Sequence, residues 1–185
     1  LSHPVGVLQP KRGGDLYLIG LLGFAVVGHT GFALGVGRRA LDEIAAFARE
    51  QSGPTGRLRD SDSFREHYGA AEAQFRAARA LIYETWADIE ISLARGEVMS
   101  TRQITLARLS MSHITSTVAE ICNFAYRTGG GVALRDGPIQ RCFRDIHAGT
   151  QHLHAHPLIL RESGRELAGM ASDQVWSRFG LVDQV

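Results

Sequence analysis

The chain of 185 residues is 44% hydrophobic and 21% charged, which suits one globular domain with a real core and excludes a disordered or fibrous polypeptide. Twenty basic residues against nineteen acidic ones leave a formal charge of +1, so no long-range field draws the chain to nucleic acid or an anionic membrane. Its two cysteines, Cys122 and Cys142, have no CxxC partner, which argues against a disulfide framework or a zinc ribbon and fits a reducing cytoplasm.

The sequence opens on Leu1, and nothing before residue 15 resembles a signal peptide. Residues 1–14 are expected to be a linker from upstream domains of a longer protein, and residues 15–185 one helical domain. Residues 16–37, "LYLIGLLGFAVVGHTGFALGVG", hold no charged side chain apart from His29 and are flanked by Lys11-Arg12 and Arg38-Arg39. About 20 apolar residues suffice to span a bilayer. Six glycines dilute the segment, however, and the pattern continues as an amphipathic helix with Leu34, Leu41, Ile44 and Ala48 on one face, so it reads as the first helix of a bundle. Gly31 and Gly35 at i,i+4 permit close approach of another helix. "GVGRRA" at 35–40 matches a dinucleotide fingerprint, but that signal needs a preceding strand inside a βαβ unit, and the chain has no such alternation.

"SGPTG" at 52–56 ends the first helix. Phe64, Tyr68, Ala71, Phe75, Ala78, Ile82, Ile89 and Leu93 then line one stripe of a long second helix. Gly96, with Ser100 as N-cap candidate, separates it from a third, whose stripe Ile104, Ala107, Met111, Ile114, Val118, Ile121 and Ala125 keeps a,d spacing. "TGGG" at 128–131 stops the third helix, and Pro138 opens a fourth. The expected fold is all-α, an antiparallel bundle of four long helices with a shorter one after Pro157. Ser112, Thr115, Ser116 and Asn123 give the third helix a polar but uncharged face, which either meets protein or ligand or carries hydroxyls bonding their own backbone.

"CFRDIHAGTQHLHAHP" at 142–157 contains His147, His152, His154 and His156. If the fourth helix continues to Ala155, His147 and His154 share one face and His152 and His156 another, so the four cannot close on one metal. If 152–156 is extended, three of them share a side, yet no cysteine or carboxylate accompanies them; no metal site is expected. Imidazole exchanges protons near neutral pH, so one of these histidines could serve as a general base or donate to a cofactor. The alternative is a set of helix-end or subunit-contact residues.

Taken together, "GHTGFALGVGRRALDEI", "FRAARALIYE", the "TGGG" turn and "CFRDIHAGTQH" resemble the C-terminal helical domain of the acyl-CoA dehydrogenase superfamily. More narrowly, they resemble the flavin monooxygenase branch that includes the oxygenase component of 4-hydroxyphenylacetate hydroxylase, the secosteroid-phenol hydroxylases and dibenzothiophene monooxygenase. The resemblance covers nearly the whole chain, and "FRDIHAGTQH" is its most specific part. It implies that an N-terminal helical domain and a β domain precede this bundle, in a homotetramer. The dehydrogenases of the best-known families carry a glutamate base after their Arg-Asp motif; the matching residue here is Leu153, and no acid lies between Asp145 and Glu162. In the monooxygenase branch a histidine faces the flavin, and its match is His152. It would hydrogen-bond near the reactive edge of the reduced flavin or deprotonate a phenol.

The resemblance further places the glycine turn, Gly129, Gly130 and Gly131, against a neighbouring subunit's flavin. It also assigns a flavin phosphate to Arg57, with Arg59 as rival, and leaves Arg144 and Asp145 a structural pair. The implied activity is hydroxylation of an aromatic or heteroaromatic substrate, using reduced FMN or FAD, FMN slightly preferred, from a separate NAD(P)H-dependent reductase. An acyl-CoA dehydrogenase and a helical oligomerisation module inactive in isolation are the alternatives.

Overall fold

The computed structural model describes residues 14–53 and 56–183. Most of the expected linker, with Lys11 and Arg12, and Pro54-Thr55 of the first break lie outside the described residues. Three long helices dominate: α1 (Gly20–Glu50), α2 (Asp62–Ala94) and α3 (Thr101–Ala133). Two shorter ones follow, α4 (Pro138–Gly149) and α5 (Pro157–Leu167). The all-α expectation holds, with a fourth helix of only 12 residues rather than a long one. Two small antiparallel hairpins, β1 (Ser52–Gly53) with β2 (Gly56–Arg57) and β3 (Gln174–Trp176) with β4 (Leu181–Asp183), were not expected from a sequence that favours helix almost throughout.

The chain divides into two compact units, and each long helix contributes to both. Among the described residues, unit 1 comprises the start of α1, the end of α2, the start of α3 and residues 153–183. Its core joins Ile19, Val26, Ile89, Leu93, Ala107 and Met111, with Trp86 and Met99 packed against them. The α2–α3 turn is built from local chemistry. Gly96 adopts φ +75°, and Ser100 and Gln103 form a reciprocal cap, Gln103 N–H donating to Ser100 Oγ (3.2 Å) and Ser100 N–H to Gln103 Oε1 (3.0 Å). Gln103 Nε2 reaches back to Asp88 Oδ2 and Ser92 Oγ, both at 2.9 Å, which ties the start of α3 to the end of α2 in antiparallel register.

The C-terminal hairpin packs on α3 through an arginine. Arg108 is 1% exposed; its guanidinium lies 4.2 Å from the Trp176 ring centroid and donates to the Ser177 carbonyl at 2.9 Å, while Trp176 Nε1 donates to Thr105 Oγ1 at 2.7 Å. Burial without a carboxylate partner pulls the guanidinium down to about 10. Sequence periodicity cannot show such an anchor, because its partners lie some seventy residues downstream.

Unit 2 comprises residues 31–80 and 113–152. Here Gly37 is the glycine that brings helices together: a Cβ on it would sit 2.6 Å from Val118 and 2.9 Å from Phe75. Gly31 and Gly35, whose spacing permits close approach of another helix, are exposed, and a Cβ at either would meet no atom within 4 Å. Leu41, Ile44 and Ala48 are buried as expected, as are the central members of both helical stripes. Arg38 crosses from α1 to Glu72 on α2 at 2.7 Å, and this hydrogen bond holds the Glu72 carboxyl below the usual range.

The glycine turn breaks α3 without ending it. Gly130 takes φ +52°, ψ −132° inside a helix that resumes to Ala133, a backbone state that disfavours any side chain. The polar face of α3 has a mixed fate: Ser112 and Thr115 are buried, and Ser116 is exposed, donating to the His113 carbonyl at 3.0 Å. The helical stretch Asp15–Glu50, which includes α1, is long and apolar enough to cross a membrane, by length and composition alone. Leu21 and Phe24 are among its exposed apolar residues.

Candidate functional site

The end of α3 and the start of α2, both in unit 2, enclose an open cavity of about 550 Å³. One face of α3 supplies Glu120, Asn123, Phe124, Arg127 and Thr128, a run at i, i+3, i+4, i+7 and i+8 that a helix brings onto one side. From the approach to α2 come Leu58 and Ser61, and from its first turns Ser63, Phe64 and His67. Ser61 caps α2, its hydroxyl accepting from Phe64 N–H at 3.3 Å. That cap fixes the helix start and with it the cavity wall.

The wall is part aromatic and part polar. Phe64 stacks on Phe124 with centroids 6.0 Å apart, and the His67 ring lies nearly parallel to Phe124 at 6.2 Å. His67 Nδ1 is 2.6 Å from the Ser63 carbonyl, a geometry in which Nδ1–H donates and Nε2 is left as the acceptor of the neutral ring. Charge is graded along α3, from the Glu120 carboxylate at one end to the Arg127 guanidinium and Thr128 hydroxyl two turns on. Such a cavity suits a ligand that joins an anionic group, hydroxyls and a flat apolar part.

The expected site residues fall around this cavity in different ways. Gly129 is buried, and a Cβ there would lie 3.1 Å from Ala133, so its smallness serves packing. Gly130 makes the break in α3, and Gly131 is exposed. None of the three lines the cavity, but their neighbour Thr128 does. Arg57 is exposed on β2, immediately before the lining residue Leu58; Arg59 stands 3.8 Å from Asp60. Arg144 and Asp145 are exposed and form no ion pair among the described residues, contrary to the structural pairing expected of them.

The histidine run is neither helical to Ala155 nor extended. Helix α4 stops at Gly149, Thr150 Oγ1 donating to the His147 carbonyl at 2.7 Å, and residues 153–155 form a 3-10 turn. Pro157 then imposes extended geometry on His156 (φ −64°, ψ 141°). The four imidazoles therefore take four different settings. His147, on α4, places Nε2 3.1 Å from Asn123 Oδ1. His152 is exposed in the turn after α4, His154 is buried, and His156 caps α5 by accepting from Leu158 N–H at 3.2 Å. Among the described residues, no three His, Cys, Asp or Glu side chains converge as metal ligands. Asn123 was legible beforehand as an oddity of the α3 face, whereas Arg127 and His67 carried no signal until the helices were paired.

A second, smaller cavity of about 350 Å³ lies between the end of α1 and the α3–α4 turn. Of its acidic lining residues Glu43, Glu50 and Asp136, Glu43 is engaged by Arg39 at 2.7 Å.

Comparison with known proteins places this architecture. The family model described as acyl-CoA dehydrogenase, C-terminal domain, matches residues 27–157. Indole-3-acetate monooxygenase of Pseudomonas putida is 28% identical over 151 residues, 80% of this chain and 39% of that protein. Among solved structures, 3-HSA hydroxylase from Rhodococcus sp. RHA1 superposes with a TM-score of 0.75 at 20% identity, over 86% of this chain and 41% of its own. XiaF from Streptomyces sp., in complex with FADH2 and glycerol, gives 0.73 at 18% identity, over 80% and 38%. At these identities the solved structures show the shared fold. The chain spans about two fifths of the length of these relatives.

Proposed function

The chain belongs to the acyl-CoA dehydrogenase C-terminal domain family, and from that premise we propose that it is the helical bundle of a flavin-dependent monooxygenase acting on an aromatic or heteroaromatic substrate. The observation that carries this reading is the α4–α5 connection. Where a dehydrogenase would present a glutamate, this chain has Leu153, with the exposed imidazole of His152 beside it in sequence. The next carboxylate, Glu162, is buried and engaged by Arg161 at 3.2 Å and Arg165 at 2.8 Å, so it is poorly placed to remove a substrate proton. The relatives named as monooxygenases agree with that reading.

The residues of the unit 2 cavity fit a flavin tail. Arg127 and Thr128 suit its phosphate, Glu120 and the serines its hydroxyls, and Phe64 and Phe124 a flat ring. A reduced flavin, when bound, supplies the oxygen-activating chemistry. The chain's own part is to hold that tail, and His152 is proposed to orient or deprotonate the substrate. Because the XiaF structure holds FADH2, FADH2 is the first flavin to test and FMN the second. The reading further includes a homotetramer, a separate NAD(P)H-dependent reductase and a cytoplasmic location, which suits the buried free thiols Cys122 and Cys142.

The test uses the full-length protein, anaerobically loaded with reduced FAD or FMN, then mixed with oxygen and an aromatic acid such as indole-3-acetate. Hydroxylated product is expected, and His152→Ala should lower product per flavin oxidised by about 100-fold while the flavin still reoxidises. Direct flavin reduction by an acyl-CoA thioester, without hydroxylation, would establish the dehydrogenase instead.

A further inference from the structure

His147 stands outside the cavity, on α4, yet it touches a residue that lines it. Its Nε2 is 3.1 Å from Asn123 Oδ1, and a carboxamide oxygen can only accept, so Nε2 must carry the proton. That contact orients the side chain of Asn123. With Oδ1 engaged by the imidazole, the amide nitrogen is the group of Asn123 available to donate, and Asn123 lines the cavity one helical turn before Arg127.

The imidazole is itself held firmly. Its ring meets Phe143 edge-on with centroids 4.3 Å apart, and Phe143 stacks on Tyr126 at the same distance. Phe143 and His147 are i,i+4 on α4, and Asn123 and Tyr126 are i,i+3 on α3. Two side-chain pairs on facing helices therefore lock one another. A surface histidine bonded to an asparagine by chance would not need such a frame.

We propose that His147 is a positioning residue that fixes the Asn123 amide with its N–H groups toward the cavity, so that Asn123 and Arg127 together donate to a phosphate oxygen of the bound flavin's tail. This rests on the cavity reading given above and adds to it a specific device. A lone Asn amide can present either pole, and only the donor pole suits an anion in a cavity that also contains the Glu120 carboxylate. Residue 147 thus decides the sign of the dipole that Asn123 offers.

The experiment measures anaerobic affinities of the full-length protein for reduced FMN and reduced riboflavin, which differ by the phosphate alone. The FMN-to-riboflavin affinity ratio should fall about fivefold in His147→Leu, where the amide is free to turn. It should fall more than about tenfold in His147→Glu, whose carboxylate accepts from the amide nitrogen and turns Oδ1 into the cavity. His147→Gln, which can donate as the imidazole does, should restore the ratio to within about twofold. Riboflavin affinity and thermal midpoint monitor folding, so a variant that merely packs badly would lower both affinities together. A wild-type preference for FMN that survives unchanged in His147→Leu and His147→Glu would overturn the positioning role alone. If wild type shows no preference for FMN over riboflavin, the cavity is not a phosphate site, and the positioning role falls with that reading.

Discussion

Helix α3 treats polar residues in opposite ways along its length. In unit 1, Thr105 and Arg108 are sealed from water, Arg108 donating to the C-terminal hairpin and Thr105 accepting from its Trp176, whose ring covers the guanidinium. In unit 2, Asn123, Arg127 and Thr128 open onto a cavity, and one of them is held from behind by His147. The same residue classes on one helix become a fastening in the first case and the wall of an open cavity in the second. What separates them is burial: the first pair is covered by the C-terminal hairpin, whereas the second set lines an open cavity.

The largest expected effect tests the fastening. Arg108→Ala leaves the Ser177 and Arg178 carbonyls without their donor and removes the cation from the Trp176 face. A loss of about 3 kcal/mol in chemical denaturation is expected, with Trp176 emission shifting to the red, while flavin affinity is little changed. Tight flavin binding that collapses in this variant would show that fastening and cavity are not separable. The lowered Arg108 pKa fixes a sign as well. The folded state binds that proton more weakly than the unfolded one, so this group's contribution to stability rises as pH climbs through about 10 toward the ordinary guanidinium range.

Next comes packing in unit 2. Gly37→Ala forces a methyl group against Val118 and Phe75 and should cost about 1–3 kcal/mol, read as a lowered thermal midpoint. An unchanged midpoint would mean that α1 can retreat from this contact. Smaller still is the Arg38–Glu72 bridge. Hydrogen bonding to Arg38 depresses the Glu72 carboxyl, so its stabilisation is present at neutral pH and fades as pH falls below the unfolded carboxylate range. Glu72→Gln should remove about 0.5–1 kcal/mol at pH 7 and nothing near pH 2, which a pair of urea titrations would show. The smallest effect has the opposite sign. Gly35→Ala meets no atom within 4 Å, so in this chain alone it should stabilise α1 by about 0.5–1 kcal/mol. Destabilisation confined to the assembled full-length protein would locate a close helix contact there.

Much of the fold was readable in advance. The stripes of α2 and α3, the Ser100 cap, the opening of α4 at Pro138 and the family all follow from periodicity, caps and motif order, which are local properties of the chain. Less of the site was legible. Asn123 stood out as an uncharged polar residue on a helix face, but its partner His147 looked like one member of a histidine cluster. The cluster itself came apart because Gly149, Thr150 and Pro157 end one helix and prepare the next within a few residues.

The sequence by itself determined where the helices run, which side of each is apolar and which family the chain resembles, because helical periodicity and capping act over a turn or two. Only the tertiary structure decided that Gly37 rather than Gly31 or Gly35 carries the close contact, that Arg108 reaches a hairpin some seventy residues away, and that Asn123, Arg127 and His67 face one cavity. Those outcomes depend on which helix faces meet. Pairing of faces is fixed by packing between segments distant in sequence, and a periodicity confined to one segment carries no record of its partner.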